Sequence, residues 1–282
     1  IPTEFIRNRI KKNGSACGGW GGILCGIGRV VFDSCVFRSD AGWQRGRASM
    51  SETGQILHRN LMAVQSRMRA ACERSGRDPR TVRLVAVTKY AELSWVRTLA
   101  GMYTVFGENR PQQLAERSEL LPAEWHLIGH LQRNKVNLAV RHASLIHSVD
   151  SLRLLEAVSD CATENHRPAV LLQVNVSREA SKTGFAVEEL PGIWESIVAY
   201  AGRVEIRGLM TMAAESADPE EARPVFAELR RLRDRLSEDI TRLLDSQGVR
   251  TLRGTGRLVG PHRVAVDHGG GTEEIEADAV LL

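Results

Sequence analysis

The 282-residue chain has no apolar run approaching the ~20 residues that a membrane-spanning helix requires, so no membrane association of that kind is expected. Aromatic residues are scarce at 5%, yet apolar residues reach 43% and charged residues 26%, with both signs interspersed. That balance excludes disordered and collagen-like chains and predicts a soluble globular protein of one large domain or two. Cysteine is sparse too, with three of the five (Cys17, Cys25, Cys35) in the first 49 positions. Their spacings lack the close pairs of zinc sites, and Cys72 and Cys161 stand far apart in helical patterns. Neither a metal centre nor a structural disulfide is expected, and the expected compartment is a reducing cytoplasm. A basic excess is missing from most of the chain. Residues 1–49 carry eight basic and three acidic side chains, which leaves 30 basic against 31 acidic groups over residues 50–282. Such a body has no surplus charge to meet phosphates, so no nucleic-acid partner is expected.

The head differs from the rest in other ways: nine of the 25 glycines and two of the five tryptophans fall in it. The stretch from Cys17 to Phe32 has some character of a secretory signal, but paired glycines and Arg29 interrupt its apolar run. Residues 1–49 are therefore expected to be a foreign segment without stable structure. From Ser51 the pattern is regular. Leu57, Leu61, Val64, Met68 and Cys72 recur at helical spacing, and Ser75-Gly76 marks the stop. Six strand patterns follow in alternation with helices: Val82–Thr88, Tyr103–Phe106, His126–Ile128, Leu145–Val149, Ala169–Val176 and Val204–Met210, the last leading to a helix over Pro219–Leu236. Tandem strand–helix units with short connections predict a parallel sheet with crossover helices. No Gly-x-Gly-x-x-Gly follows the first strand, which favours a (β/α) barrel over a dinucleotide-binding doubly wound sheet. Beyond Ser237, alternating segments at Val249–Arg253, Arg263–Val266 and Glu274–Glu276 with glycine-rich turns predict antiparallel strands.

Barrels place their chemistry at the C-terminal strand ends, and polar residues collect there: Lys89, Asn109, His130, His147 with Ser148, Asn175 with Ser177, and Thr211. Lys89 stands out. It closes the run Leu84-Val85-Ala86-Val87-Thr88, so its amine is delivered to the mouth of an apolar barrel. Partial desolvation there disfavours the ammonium, and the free amine is the form that attacks an aldehyde to give a Schiff base. A solvated strand-terminal lysine is the plainer alternative. His126 and His130, four apart, could suggest a metal pair, but a strand-to-turn context takes them off helical register, so hydrogen-bonded histidines are favoured.

Six motifs occur in order: Val85-Ala-Val-Thr-Lys89, Phe106-Gly-Glu-Asn109, Trp125-His-Leu-Ile-Gly-His-Leu-Gln-Arg-Asn-Lys135, Ile146-His-Ser-Val-Asp-Ser151, Leu172-Gln-Val-Asn-Val176 with Ser181-Lys182 and Gly184-Phe185, and Arg207-Gly-Leu-Met-Thr-Met212. Together they resemble the pyridoxal-phosphate homeostasis family, single-domain relatives of the alanine racemase N-terminal barrel, over residues 50–236. The resemblance implies a TIM-type (β/α) barrel that binds pyridoxal 5'-phosphate (PLP). By that resemblance Lys89 holds the cofactor as an internal aldimine, Asn109 lies beside it and Met210 lies near its ring. The family's Ser-Met-Gly-Met-Ser and Arg-Ile-Gly stretches, which form strands seven and eight and seat the phosphate, do not occur here. The barrel is therefore expected to be incomplete, with six of eight units and two open sheet edges. Residues 237–282 resemble instead a β-rich fragment of the flavin-dependent pyridine nucleotide–disulfide oxidoreductases.

Three readings follow. The preferred one is a PLP carrier that manages intracellular supply of the cofactor without turning over a substrate, its partner being that small molecule. A racemase-like enzyme needs a second acid/base on the opposite face of the cofactor. The chain offers Tyr90, Tyr103 and Tyr200, none placed evidently for that role. The third is a chimeric chain without function. No catalytic residue and no metal ligand is assigned, and the oligomeric state is left open.

Overall fold

The structure, a computed structural model, describes residues 3–9, 23–26, 51–179, 181–214, 218–246, 252, 254–260, 262–268 and 270–276. The chain divides into two units, Ile1–Arg233 and Asp234–Leu282. The first contains strands β1 (Thr3–Arg9) and β2 (Ile23–Gly26) and then the long helix α1 (Glu52–Arg74). Ser51 caps α1 by accepting the Gly54 N–H at 3.2 Å. The helix ends where Gly76 takes φ 63°, which lets the Arg77 N–H turn back onto the Cys72 carbonyl at 2.9 Å.

Strand–helix alternation begins at β3 (Val82–Val87) and continues through α2 (Leu93–Ala100), β4 (Val105–Glu108), α3 (Pro111–Leu120), β5 (Glu124–Leu127), α4 (Val136–His142), β6 (Leu145–Val149), α5 (Leu152–Ser159) and β7 (Ala169–Asn175). A two-residue strand β8 (Phe185–Ala186), α6 (Trp194–Val198), β9 (Glu205–Met210) and α7 (Arg223–Ser246) complete the series. Strands β3, β4, β5, β6, β7 and β9 pair in that order, each parallel to the next, and β8 adds to the end of β7. This is the expected α/β barrel of six units.

The barrel edges differ from expectation. β1 runs parallel beside β3, with Glu4 opposite Val82 and Arg9 opposite Val87, while β2 pairs antiparallel with both β1 and β9. Those pairings close a ring of eight strands. Two stretches of the head, for which the pattern predicts no stable structure, thus occupy the gap left by the two absent units. The cause is non-local. Open edges of β3 and β9 present unpaired N–H and C=O groups, and a hairpin from a distant segment satisfies them although its own alternation is weak.

Alternation along the strands sorts side chains into two layers. Val85, Val105, Leu145, Ala169, Leu171 and Met210 form one cluster inside the ring. On the outer face Phe106 and Trp125 pack at 5.0 Å between ring centroids, in one cluster with Leu57 of α1, Val96 and Leu99 of α2 and Leu114 of α3. The second unit contains an antiparallel meander of β10 (Thr255–Gly260), β11 (Arg263–His268) and β12 (Gly271–Glu276), with Ala265 and Val266 buried. Antiparallel strands are what the glycine-rich tail predicts. The segment Val249–Arg253 lies outside the described residues apart from Leu252. Among the described residues no helix is long and apolar enough to cross a membrane.

Trp125 is 1% exposed and its indole N–H donates to the Leu121 carbonyl at 3.1 Å. Trp125→Ala removes the centre of the outer cluster and is expected to lower unfolding free energy by about 3–5 kcal/mol, measured by urea titration.

Candidate functional site

The C-terminal ends of β3 and β4 lie side by side; Lys89 comes two residues after β3, and Asn109 follows β4 directly. Lys89 occupies the second position of a turn, Thr88–Ala91, closed by the Ala91 N–H donating to the Thr88 carbonyl at 2.8 Å. The lysine is half-buried, and its Nζ sits 5.1 Å from the centroid of the exposed Tyr90 ring. Asn109 is half-buried and closely approached by Gly129 after β5. A Cβ at Gly129 would fall 2.2 Å from the Asn109 carbonyl oxygen, so only glycine lets the two strand ends meet. Met210 is the last residue of β9; it is 2% exposed and packs inside the ring with Val85 and Leu171.

Beneath the Lys89 turn lies a charged pair that pattern reading does not single out. Glu108, the last residue of β4, is fully buried; Arg117 of α3 is nearly so, and the two are ion-paired. Arg117 also donates through Nη1 to the Thr88 carbonyl and through Nη2 to the Ala91 carbonyl, both at 2.7 Å. The Thr88 hydroxyl donates to the same Glu108 carboxylate, and the Asn109 backbone N–H reaches it as well. With its amide turned to satisfy its neighbours, Gln113 donates to Glu108 at 3.2 Å and accepts from Arg117 at 3.1 Å. Burial pushes the Glu108 carboxyl above its ordinary value, against the pull of Thr88 and Arg117. The available signal was an acidic residue inside a strand otherwise buried throughout.

Other mouth residues hold the loops. The Ser148 hydroxyl donates to the Gly129 carbonyl at 2.6 Å, and His130 faces Asp150 at 3.4 Å. The Asn175 amide donates to the carbonyls of Glu179 and Lys182 at 2.9 and 3.1 Å, folding the loop after β7. Gly184 returns that loop with φ 138°, where a Cβ would meet the Asn175 nitrogen at 2.8 Å. The Lys182 amine is engaged by Glu179 at 2.7 Å. The Thr211 hydroxyl donates to the Val174 carbonyl.

Towards the N-terminal strand ends a polar chain enters the ring. Arg83 binds Glu124, Glu124 binds His126 Nε2 at 2.8 Å, and His126 Nδ1 lies 2.9 Å from His147 Nε2. An ionised carboxylate only accepts, so His126 Nε2 carries the proton it donates. Burial keeps the ring neutral, which leaves Nδ1 to accept from His147. His126 and His130 therefore serve separate partners and form no pair. Desolvation holds the His126 pKa below its ordinary value of 6.5. For Glu124 desolvation pushes upward, but the donors His126 and Arg83 outweigh it and the carboxyl stays below its usual range. Tyr103 spends its hydroxyl on the Leu84 carbonyl, and burial pushes its pKa up to about 12.

Barrel, strand order and strand-end lysine define the class, and comparison with known proteins agrees: the family model "Alanine racemase, N-terminal domain" matches residues 60–256. Within it the chain belongs to the pyridoxal phosphate homeostasis protein family. It is 40% identical to the pyridoxal phosphate homeostasis protein of Pseudomonas aeruginosa over 179 residues, 61% of this chain and 77% of the relative. It is 35% identical to that of Aquifex aeolicus over 184 residues, covering 64% and 80%. Among solved structures, PipY of Synechococcus elongatus without PLP superposes with a TM-score of 0.53 at 33% identity, covering 61% of this chain and 81% of PipY. The form with PLP bound gives 0.50 at 34% identity over the same shares. The likeness of residues 237–282 to a flavoprotein disulfide oxidoreductase gains no support from these comparisons, and the family match itself extends into the tail as far as residue 256.

Two outcomes test this electrostatic picture. Arg117→Ala leaves Glu108 buried without its cation and is expected to cost about 3–5 kcal/mol in chemical denaturation. Because the folded His126 pKa lies below 6.5, unfolded chains bind the proton first, so stability is full above pH 6.5 and falls as pH drops below it. The slope attributable to one proton is about 1.4 kcal/mol per pH unit. His126→Gln should remove that part of the slope, read from urea titrations across pH 5 to 8.

Proposed function

We propose that this chain binds PLP through Lys89 at the barrel mouth and acts in intracellular PLP homeostasis. The observation that carries the reading is the half-buried lysine in a turn at the end of β3, in a chain of this family. The residues present fit the aldehyde and ring end of the cofactor. Lys89 and Asn109 follow the paired strands β3 and β4, in a barrel whose apolar interior includes Val85 and Met210. Bound PLP supplies an electrophilic aldehyde, and the Lys89 amine is the group to bond with it. Asn109 would lie beside the cofactor and Met210 near its ring. Residues 50–236 carry the cofactor-binding positions of this reading, in a cytoplasmic protein that acts on neither nucleic acid nor membrane.

Support for a carrier rather than a racemase comes from the tyrosines. Tyr103 is committed to a backbone carbonyl with its pKa raised to about 12, and Tyr90 presents its ring to the amine of Lys89 itself. Neither arrangement offers a proton donor across the cofactor from Lys89.

Purified protein titrated with PLP is expected to develop a visible absorbance band distinct from the free cofactor. Borohydride reduction should fix the adduct on Lys89, as read by peptide mass, and Lys89→Ala should abolish both signals. A wild-type spectrum identical to free PLP refutes the reading.

A further inference from the structure

We propose that Arg117 and Glu108 are positioning residues for Lys89: a guanidinium–carboxylate pair under the barrel wall that clamps the Lys89 turn and ties it to Asn109. The inference rests on the reading of Lys89 as the cofactor-binding amine. The geometry is specific. The Thr88–Ala91 turn has two ends, the Thr88 and Ala91 carbonyls, and one planar guanidinium donates to both at 2.7 Å. A forked cation can span two carbonyls in a fixed relation; a lysine ammonium, a single point on a flexible stem, cannot hold both in that geometry. Glu108 orients the fork through Nη1 and takes the Thr88 hydroxyl on the same carboxylate oxygen. It belongs to β4, and Asn109 follows it directly, with its N–H also reaching the carboxylate. The adjacent backbones are joined as well, since the Thr88 N–H donates to the Gly107 carbonyl at 3.0 Å. One buried anion thus fixes the spacing between the amine-bearing turn and the neighbouring strand end.

Burial makes the arrangement costly, because both charges leave water and an ion pair of this kind often stabilises a fold no better than apolar residues of similar volume. What the pair supplies that apolar packing lacks is direction. It satisfies the two turn carbonyls and sets where the chain between them projects. Exposed Tyr90 and half-buried Lys89 then stand at the rim rather than folding back over the strand ends.

The test uses full-length wild type, Glu108→Gln, Arg117→Lys and Gln113→Leu, each first checked for native circular dichroism. Two properties are read: amide hydrogen exchange at Ala91 in cofactor-free protein, and PLP affinity from the visible band. In Glu108→Gln and Arg117→Lys, Ala91 exchange is expected to quicken at least about tenfold and the PLP Kd to rise at least about tenfold. Exchange at the Leu114 amide, in the middle of the same helix, should stay within about twofold of wild type. That contrast separates loss of the clamp from general loosening. Should the two charge variants fail to fold, Gln113→Leu, which removes only the amide bracing the pair, is expected to raise both values about two- to fivefold. A folded Arg117→Lys with wild-type Ala91 exchange and wild-type PLP affinity overturns the proposal, as does Gln113→Leu unchanged in both when it is the only folded variant. If wild type does not bind PLP at all, the cofactor reading fails by itself, and Ala91 exchange still decides whether the clamp exists.

Discussion

The constraint on which the site depends is the burial of the Glu108 carboxylate. An acidic group at the end of a fully covered strand cannot be left without donors, and four residues converge on it: Arg117, Thr88, Asn109 and Gln113. Satisfying that one group joins α3, the turn after β3 and the end of β4 into a single hydrogen-bonded body. Lys89 and Asn109 are held near each other as a result, and the barrel mouth acquires a fixed geometry on its first two strands.

A second polar chain, Arg83–Glu124–His126–His147, enters the ring from the opposite end. Val85, Leu171 and Met210 belong to an apolar cluster inside the same ring. The polar chain settles the tautomers of two buried histidines. Glycine governs the close approaches at the mouth, at Gly129 against Asn109 and at Gly184 against Asn175, because side chains there would occupy the neighbouring backbone.

Local chemistry made much of the architecture legible. The β-branched and aliphatic runs announced β3, β6, β7 and β9, and the serine caps at Ser51 and Ser151 marked helix starts. Strand ends shifted where one residue serves two elements. Tyr103 reads as strand by composition, yet its hydroxyl is drawn to the Leu84 carbonyl and the strand begins at Val105. The last long helix begins as a 3-10 turn over Pro219–Ala222 and runs on to Ser246, past the expected end at Leu236. The pairings of β1 and β2 were not legible, since what recruits them is the open edges of β3 and β9, not anything in their own residues.

The sequence by itself determined the alternation of strands and helices, the family, and the lysine at the end of the first barrel strand, because each is written in short-range pattern and in motif order. Only the tertiary structure decided that Arg117, 28 residues beyond Lys89, grips the turn that carries it, that the Tyr103 hydroxyl is spent on the Leu84 carbonyl, and that Met210 packs with Val85 and Leu171 inside the ring. The physical reason is that a buried charge or hydroxyl takes its meaning from the donors and acceptors packed around it, and those come from elements far apart in the chain.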